Sequence, residues 1–244
     1  MIKRAIERSI SEKVRNAGCD DYRFFVTTKK NFRDHLVDDY KANRSDKERP
    51  IHLAWAKHLA INEFGAEAVP YLEADDLLAI YQTEDTVIWS LDKDLRQVPG
   101  QHLDDDTQQV ITVDDVGIIQ PRGKKVYFNG LIGFYYQLLI GDSTDHIVGC
   151  GKRLPATYKS GAKKGEDYVK RSGVGPGAAQ KLLAAACLGL SGQEALKEAK
   201  KAVARAYHDL HGETWKTEME TQAGLLWMSR EYVGDCVKMW TFDD

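Results

Sequence analysis

Three short acidic clusters, Glu73-Ala-Asp75-Asp76, Asp92-Lys-Asp94 and Asp142-Ser-Thr-Asp145, each abut an apolar run, and that pairing restricts what this chain can fold into. Ionised carboxylates are too costly to bury inside apolar elements, so each cluster must fall at an element's end. Glu73 is expected to end a strand, with Asp75 and Asp76 opening the next helix, where the helix dipole favours them. Asp92 and Asp94, two apart in an extended segment, point to one side. Asp142 and Asp145, three apart at a helical turn, share a face. Any one pair alone would equally suit a helix cap or a solvent-facing acid. Brought together, seven carboxylates repel one another unless a cation neutralises them, and an all-oxygen donor set suits Mg²⁺ or Mn²⁺ rather than zinc.

Between the clusters the chain alternates helical and extended patterns. Ile2, Ile6, Ile10 and Val14 form one face of an amphipathic helix that Gly18 can terminate. A strand is predicted over residues 22–28, a helix over 53–64, a short strand over 68–72 with Pro70 near its start, and a helix over 74–81. The apolar run 86–91 reads as a strand buried on both faces. Residues 109–128 read as short strands around the turn Pro121-Arg-Gly-Lys, and 131–140 as a buried helix. This alternation predicts an α/β fold with a mostly parallel sheet, whose functional groups gather at the carboxyl ends of the strands. Further on, Leu196, Ala199, Val203, Tyr207 and Leu210 mark a second amphipathic helix, and Leu225-Leu-Trp227 and Met239-Trp240 suit either core closure or an interaction surface.

The 244 residues are 43% hydrophobic and 29% charged, which excludes the disordered classes. Cys19, Cys150, Cys187 and Cys236 show neither metal-ligand spacing nor a compact disulfide framework and read as reduced thiols. No apolar stretch approaches the roughly 18 residues of a membrane span, and the N-terminus lacks a signal-peptide core. A soluble, cytoplasmic protein is expected, in the host cytoplasm if it is phage-encoded.

A net charge of −3 hides a separation of signs: residues 152–181 carry eight Lys or Arg against two acids. A basic segment beside acidic clusters is the layout of a metal site flanked by phosphate-binding cations, although charge alone equally fits a solvated loop. Within it, Ser172-Gly173-Val174-Gly175-Pro176-Gly177 leads into a helical run and could present backbone N–H groups to a phosphate. Most glycine-rich turns are only tight turns. Among the seven histidines only His146, beside Asp145, is placed near the acids, and a surface role suits it better.

The order EADD (73–76), SLDKDL (90–95), LLIGDSTDHIVG (138–149) and GVGPGAAQKLL (173–183) resembles the 5′-nuclease superfamily of flap endonucleases and 5′–3′ exonucleases, most of all the small bacteriophage and prophage enzymes. Upstream, Asn31-Phe-Arg33 and Tyr40-Lys41-Ala-Asn-Arg44 are similar to the family's approach to the arch over its active site. The resemblance spans roughly residues 22–185. It implies a PIN-like core over 1–140, a helix–three-turn–helix DNA-binding module over 141–190 and a C-terminal helical segment over 191–244. It further implies Glu73, Asp75, Asp76, Asp92, Asp94, Asp142 and Asp145 as direct or water-mediated ligands of Mg²⁺ or Mn²⁺, with Lys41, Arg44, Asp75 and Asp92 catalytic. Arg33, Tyr40, Lys163, Lys164, Lys170, Gly173, Gly175 and Gly177 are the implied DNA contacts, Tyr40 by stacking on a base.

Two departures stand out. Family members begin with a buried strand ending in a metal-binding Asp, which has no counterpart here, and many carry an Asp shortly before the arginine matched by Arg33, where this chain has Thr28. A truncated or split enzyme, with a separate N-terminal fragment as partner, is one expectation from the first departure. The main expectation is a DNA phosphodiesterase acting on duplexes with a 5′ end or flap. The alternatives are a catalytically impaired DNA-binding relative and cleavage of RNA, including RNA–DNA hybrids.

Overall fold

The predicted N-terminal amphipathic helix is present as α1 (Ile2–Ala17), and Gly18, at φ +68°, ends it with its N–H on the Arg15 carbonyl. The computed structural model describes residues 2–27, 30–42, 50–123, 125–162, 164–233 and 236–243. After α1 follow α2 (Leu53–Phe64) and α3 (Ala74–Ile80), then the strands β1 (Val87–Ile88), β2 (Gly100–Leu103), β3 (Val110–Val113), β4 (Ile119–Arg122) and β5 (Lys125–Phe128). The remainder comprises α4 (Gly130–Ile140), β6 (Gly151–Thr157), β7 (Asp167–Gly173), α5 (Pro176–Ala186), α6 (Gly192–His211), α7 (Trp215–Leu226) and the pair β8 (Tyr232–Val233) and β9 (Cys236–Val237). Among the described residues no helix is long and apolar enough to cross a membrane.

The chain is a mixed α/β fold with small sheets, which corrects the expectation of a mostly parallel one. Among the described residues, β1 pairs parallel to β2 and β2 antiparallel to β3, while β4–β5, β6–β7 and β8–β9 are antiparallel pairs. The expected strands at 22–28 and 68–72 shrink to two isolated parallel bridges, Phe25 to Glu67 and Asn31 to Tyr71. Pro70 has no N–H to give, and Tyr71 takes a left-handed φ of 67°, so no continuous ladder can run between the bridges. The run 86–91 also yields only two strand residues. Trp89 is 36% and Leu91 78% exposed, so the run is not buried on both faces.

Helix α4 is the hub. Its sequence Gly-Leu-Ile-Gly-Phe-Tyr-Tyr-Gln-Leu-Leu-Ile is apolar nearly all round, as suits a helix enclosed on every side. Around Phe134, Leu138 and Leu139, all fully buried, pack Ala179 and Leu183 of α5, Ala199, Val203 and Tyr207 of α6, and Met219 and Ala223 of α7. The Tyr207 hydroxyl donates to the Leu138 carbonyl at 2.8 Å. This one apolar cluster also takes in Tyr40 and Trp240, so it crosses both expected domain boundaries, at 140 and at 190.

Within 141–190, the span expected to hold the helix–three-turn–helix module, the chain builds a tight loop, then the β6–β7 hairpin and α5. The loop closes on a bridge between Asp142 and Ile147. It requires glycine at both ends: Gly141 has φ +69°, and a Cβ on Gly149 would lie 2.3 Å from the Gly141 nitrogen.

Candidate metal and nucleic-acid site

Glu73, Asp75, Asp92, Asp94 and Asp145 line one cavity of about 260 Å³ together with Thr27, Arg33, Tyr40, Lys41 and the C-terminal stretch Leu225, Leu226 and Met228. Each carboxylate arrives from an element's end. Glu73 is the N-cap of α3 and Asp75 lies in its first turn. Asp92 caps a short 3-10 turn over 93–97, accepting the Asp94 N–H at 2.9 Å. Asp145 comes from the glycine-bounded loop. Lys41, at a left-handed φ of 55°, donates its N–H to the Asp145 carbonyl and its Nζ to Glu73 Oε1 at 2.6 Å.

Beneath this cavity sits Arg33, 1% exposed. Its Nη1 donates to Asp76 Oδ2 at 2.7 Å and Glu73 Oε2 at 3.1 Å, and its Nη2 to Asp76 Oδ1 at 2.8 Å and the Trp227 carbonyl at 2.6 Å. Its Nε donates to the Leu225 carbonyl at 3.1 Å. Asp76 is fully buried and also accepts the N–H groups of Glu73 and Ser229, each at 3.1 Å. Burial opposes the charge on Arg33, but Asp76 and Glu73 outweigh it and hold the guanidinium more firmly protonated than usual. Arg33 and Asp76, expected on DNA and on metal, are thus the buttress on which Glu73 rests. Tyr40, expected to stack on a base, is also turned inward. It is 8% exposed with its hydroxyl on Glu73 Oε2 at 3.1 Å, and burial, then Glu73, push its phenol up.

The mouth of the cavity has a different electrostatic character. Asp75 makes no hydrogen bond or salt bridge among the described residues, and burial, then Asp92 and Glu73, push its carboxyl up to about 7. Asp94 is pushed up to about 6 by burial, with Asp92 and Asp142 adding to it and Lys93 opposing. Lys93 bridges Asp94 at 3.5 Å and Asp142 at 3.3 Å. Burial opposes ionisation of Asp142, but Lys93 and the Thr144 N–H prevail and hold it low. Asp142 is therefore tied off beside the cavity rather than lining it.

Carboxylates forced upward by burial and then by one another are short of positive charge, and their oxygen-only chemistry fits a hard divalent ion. Asp75, Asp92 and Asp94 are the groups with capacity to hold one, while Glu73 and Asp145 line the same cavity paired to Lys41. Among the described residues no three His, Cys, Asp or Glu side chains form a ready-made ion cage, and Lys41 and Lys93 meanwhile neutralise Glu73, Asp145, Asp94 and Asp142.

Three contributors went unnoticed in the sequence. Thr27 lines the cavity and accepts the Ala74 N–H at 3.0 Å. Lys93 sits inside the second acidic motif. Gln137, 1% exposed, donates to Asp94 Oδ1 at 2.6 Å and leaves its Oε1 without a partner among the described residues. A single amide in an otherwise apolar helix was the readable sign of it.

The hairpin β6–β7 sorts its cations by face. Arg153 and Arg171 lie directly opposite each other in the ladder, an unfavourable pairing relieved by inward acceptors. Arg171 donates to the Val148 and Leu139 carbonyls at 2.7 and 2.9 Å, and Arg153 to Asp39 and the His146 carbonyl. His146 itself sets Nδ1 on the Asp39 carbonyl at 3.0 Å. Lys152, Lys159, Lys164 and Lys170 remain exposed. Gly173 allows strand contact, since a Cβ there would lie 2.3 Å from the Cys150 carbonyl oxygen. Gly175 caps α5, and it and Gly177 have open space beside them. Arg44, Lys163 and Thr28 lie outside the described residues. If the exposed lysines hold a phosphate backbone, Lys152→Glu/Lys170→Glu should flatten the salt dependence of duplex binding by roughly one unit of log–log slope per lost contact. Fluorescence anisotropy at varied salt reads it, and an unchanged slope removes the hairpin from the interface.

No protein-family model matches the chain.

Proposed function

We propose that the chain is a metal-dependent phosphodiesterase acting on nucleic acid. More particularly, it is a 5′-nuclease-like enzyme, a 5′–3′ exonuclease or flap endonuclease that hydrolyses duplex DNA bearing a 5′ end or flap. The observation that carries the reading is Asp75: a half-buried carboxyl with no hydrogen-bond or salt-bridge partner among the described residues, crowded by Asp92 and Glu73, in a cavity that also holds Lys41. A bound Mg²⁺ or Mn²⁺ would supply charge neutralisation at the phosphate and an activated water. The chain's own groups do the rest. Asp75, Asp92 and Asp94 hold the cation, and Glu73, fixed by Arg33 and Tyr40, sets the position of Lys41. Lys41 then has two anionic neighbours, Glu73 and Asp145, to exchange for a scissile phosphate. The exposed lysines of β6–β7 and the open N-terminus of α5, both within the DNA-binding span 141–190, hold the flanking backbone without reading sequence.

A second reading, a DNA-binding relative with impaired catalysis or one part of a split nuclease, is favoured by one observation: lysines already neutralise four of the carboxylates. Incubation with a labelled 5′-flap duplex and Mg²⁺ separates the two. Cleavage that Asp92→Asn lowers by about 10²-fold or more, with duplex affinity kept, supports the enzyme. Binding with no cleavage by the unaltered chain supports the second reading.

A further inference from the structure

A second cavity, about 520 Å³, shares a wall with the first. Leu225, Leu226 and Met228 line the carboxylate cavity, whereas Trp227 and Arg230 line the other, so residues 225–230 form a partition between the two. Its remaining walls include Tyr135 of α4, Lys197 and Lys200 of α6, and Trp240.

Its chemistry is unlike that of the first. Two indoles stand in it, Trp227 and Trp240, both braced edge-on against the fully buried Phe134 at centroid distances of 5.0 and 5.5 Å. Each indole carries a cation: Arg230 lies 4.5 Å from the Trp227 centroid and Lys200 5.6 Å from that of Trp240. Of four cationic side chains in the lining, Lys238 is paired with Glu231 at 3.2 Å. Lys197, Lys200 and Arg230 form no salt bridge among the described residues. Arg230 donates Nη2 to the Gln97 carbonyl at 2.7 Å.

An apolar ligand would leave these three cations unanswered, and a bare anion would leave two indoles unused. A ligand answering both has a planar aromatic body joined to a strongly anionic group, and the volume falls within the roughly 300–1,000 Å³ of small-molecule sites. We propose that this cavity binds a nucleotide unit, with its base against Trp227 and Trp240 and its phosphate on Lys197, Lys200 and Arg230. A free mononucleotide and a nucleotide within a single strand share that chemistry. The inference uses none of the acidic residues and stands whether or not the chain cleaves nucleic acid.

The test is titration of the full chain with dTMP, thymidine, inorganic phosphate and a short oligothymidylate, read by calorimetry and by the indole N–H resonances. The unaltered chain and Asp75→Asn/Asp92→Asn should bind dTMP alike, shifting the same two indole signals, which separates this cavity from the carboxylate site. Lys197→Glu/Lys200→Glu, or the milder Lys197→Gln/Lys200→Gln, should weaken dTMP by about tenfold or more, as loss of charge-assisted contacts requires. Thymidine and phosphate should each bind markedly less tightly than dTMP. Tighter binding of the oligothymidylate would identify a passing strand as the source, and equal or weaker binding a free mononucleotide; both support the site. The proposal is overturned if dTMP and the oligothymidylate move no indole signal, if phosphate alone matches dTMP, or if both lysine variants bind as the unaltered chain does.

Discussion

Arg33→Met should cost about 3–5 kcal/mol of folding stability, the amount typical of stripping the partner from a buried charge. The substitution leaves Asp76, fully buried, and Glu73, 8% exposed, without the guanidinium, and it releases the Leu225 and Trp227 carbonyls. Urea denaturation followed by circular dichroism measures the loss. Arg33→Lys should recover little of it, because one ammonium cannot reach the five acceptors that the planar fork satisfies. Combining Arg33→Met with Asp76→Leu should be less damaging than Arg33→Met alone, since the stranded carboxylate is then gone. A cost below about 1 kcal/mol for Arg33→Met would mean that the buried network is not what holds the C-terminal stretch in place.

The second large effect is a pH-dependent response to divalent ions. Asp75 and Asp94 ionise near 7 and 6 in the fold, against about 3.9 in an unfolded chain. Between those values the folded state keeps protons that the unfolded state has shed. Without added metal, these two groups therefore favour the fold below about pH 4, and their contribution is lost as the pH rises towards 7. A cation bound at Asp75, Asp92 and Asp94 reverses that loss, because it replaces the protons. Mg²⁺ or Mn²⁺ at about a hundred times its dissociation constant should add roughly 2.7 kcal/mol at pH 8, or about 5–10 °C in melting temperature for a chain of this size. At pH 5 the increase should nearly vanish, since protons then compete for the same oxygens. Asp75→Asn/Asp92→Asn should abolish the metal response at both pH values. The same increase in that double variant would place the ion elsewhere.

What the sequence shows clearly is whatever short-range periodicity decides. α1, the turn between β4 and β5, the all-apolar α4 and the amphipathic α6 could be read directly, because each is specified by neighbours within a few residues. The meeting of Glu73, Asp75, Asp92, Asp94 and Asp145 in one cavity followed only from the family resemblance, and nothing local separated them from Asp76 and Asp142. Strand pairing was less legible. A Pro and a left-handed Tyr at 70–71 break the ladder that the apolar pattern of 68–72 implies, and the alternation in β6 and β7 is obscured because both faces carry cations. The inward turn of Arg33 and Tyr40 had no local sign at all. Arg33 is buried by Asp76, 43 residues on, and by carbonyls 192 and 194 residues away, so its surroundings are a property of the whole fold. Asp76 was indistinguishable in sequence from Asp75, yet their environments are opposite: one accepts from Arg33, Glu73 and Ser229, the other from no donor among the described residues.

The carbonyls that seat Arg33 lie 192 and 194 residues further along the chain than Arg33 itself. Translation proceeds at about 5–20 residues per second, so residues 73–94 leave the ribosome on the order of ten seconds before residues 225–229 exist. During that interval Arg33 lacks two of its acceptors, the Leu225 and Trp227 carbonyls, and Asp76 lacks the Ser229 N–H, so the buttress under Glu73 is incomplete. An enzyme of the proposed kind would stay inert as a nascent chain, and a copy clipped before Leu225 would stay inert permanently. The cell's own nucleic acid would then meet only finished molecules.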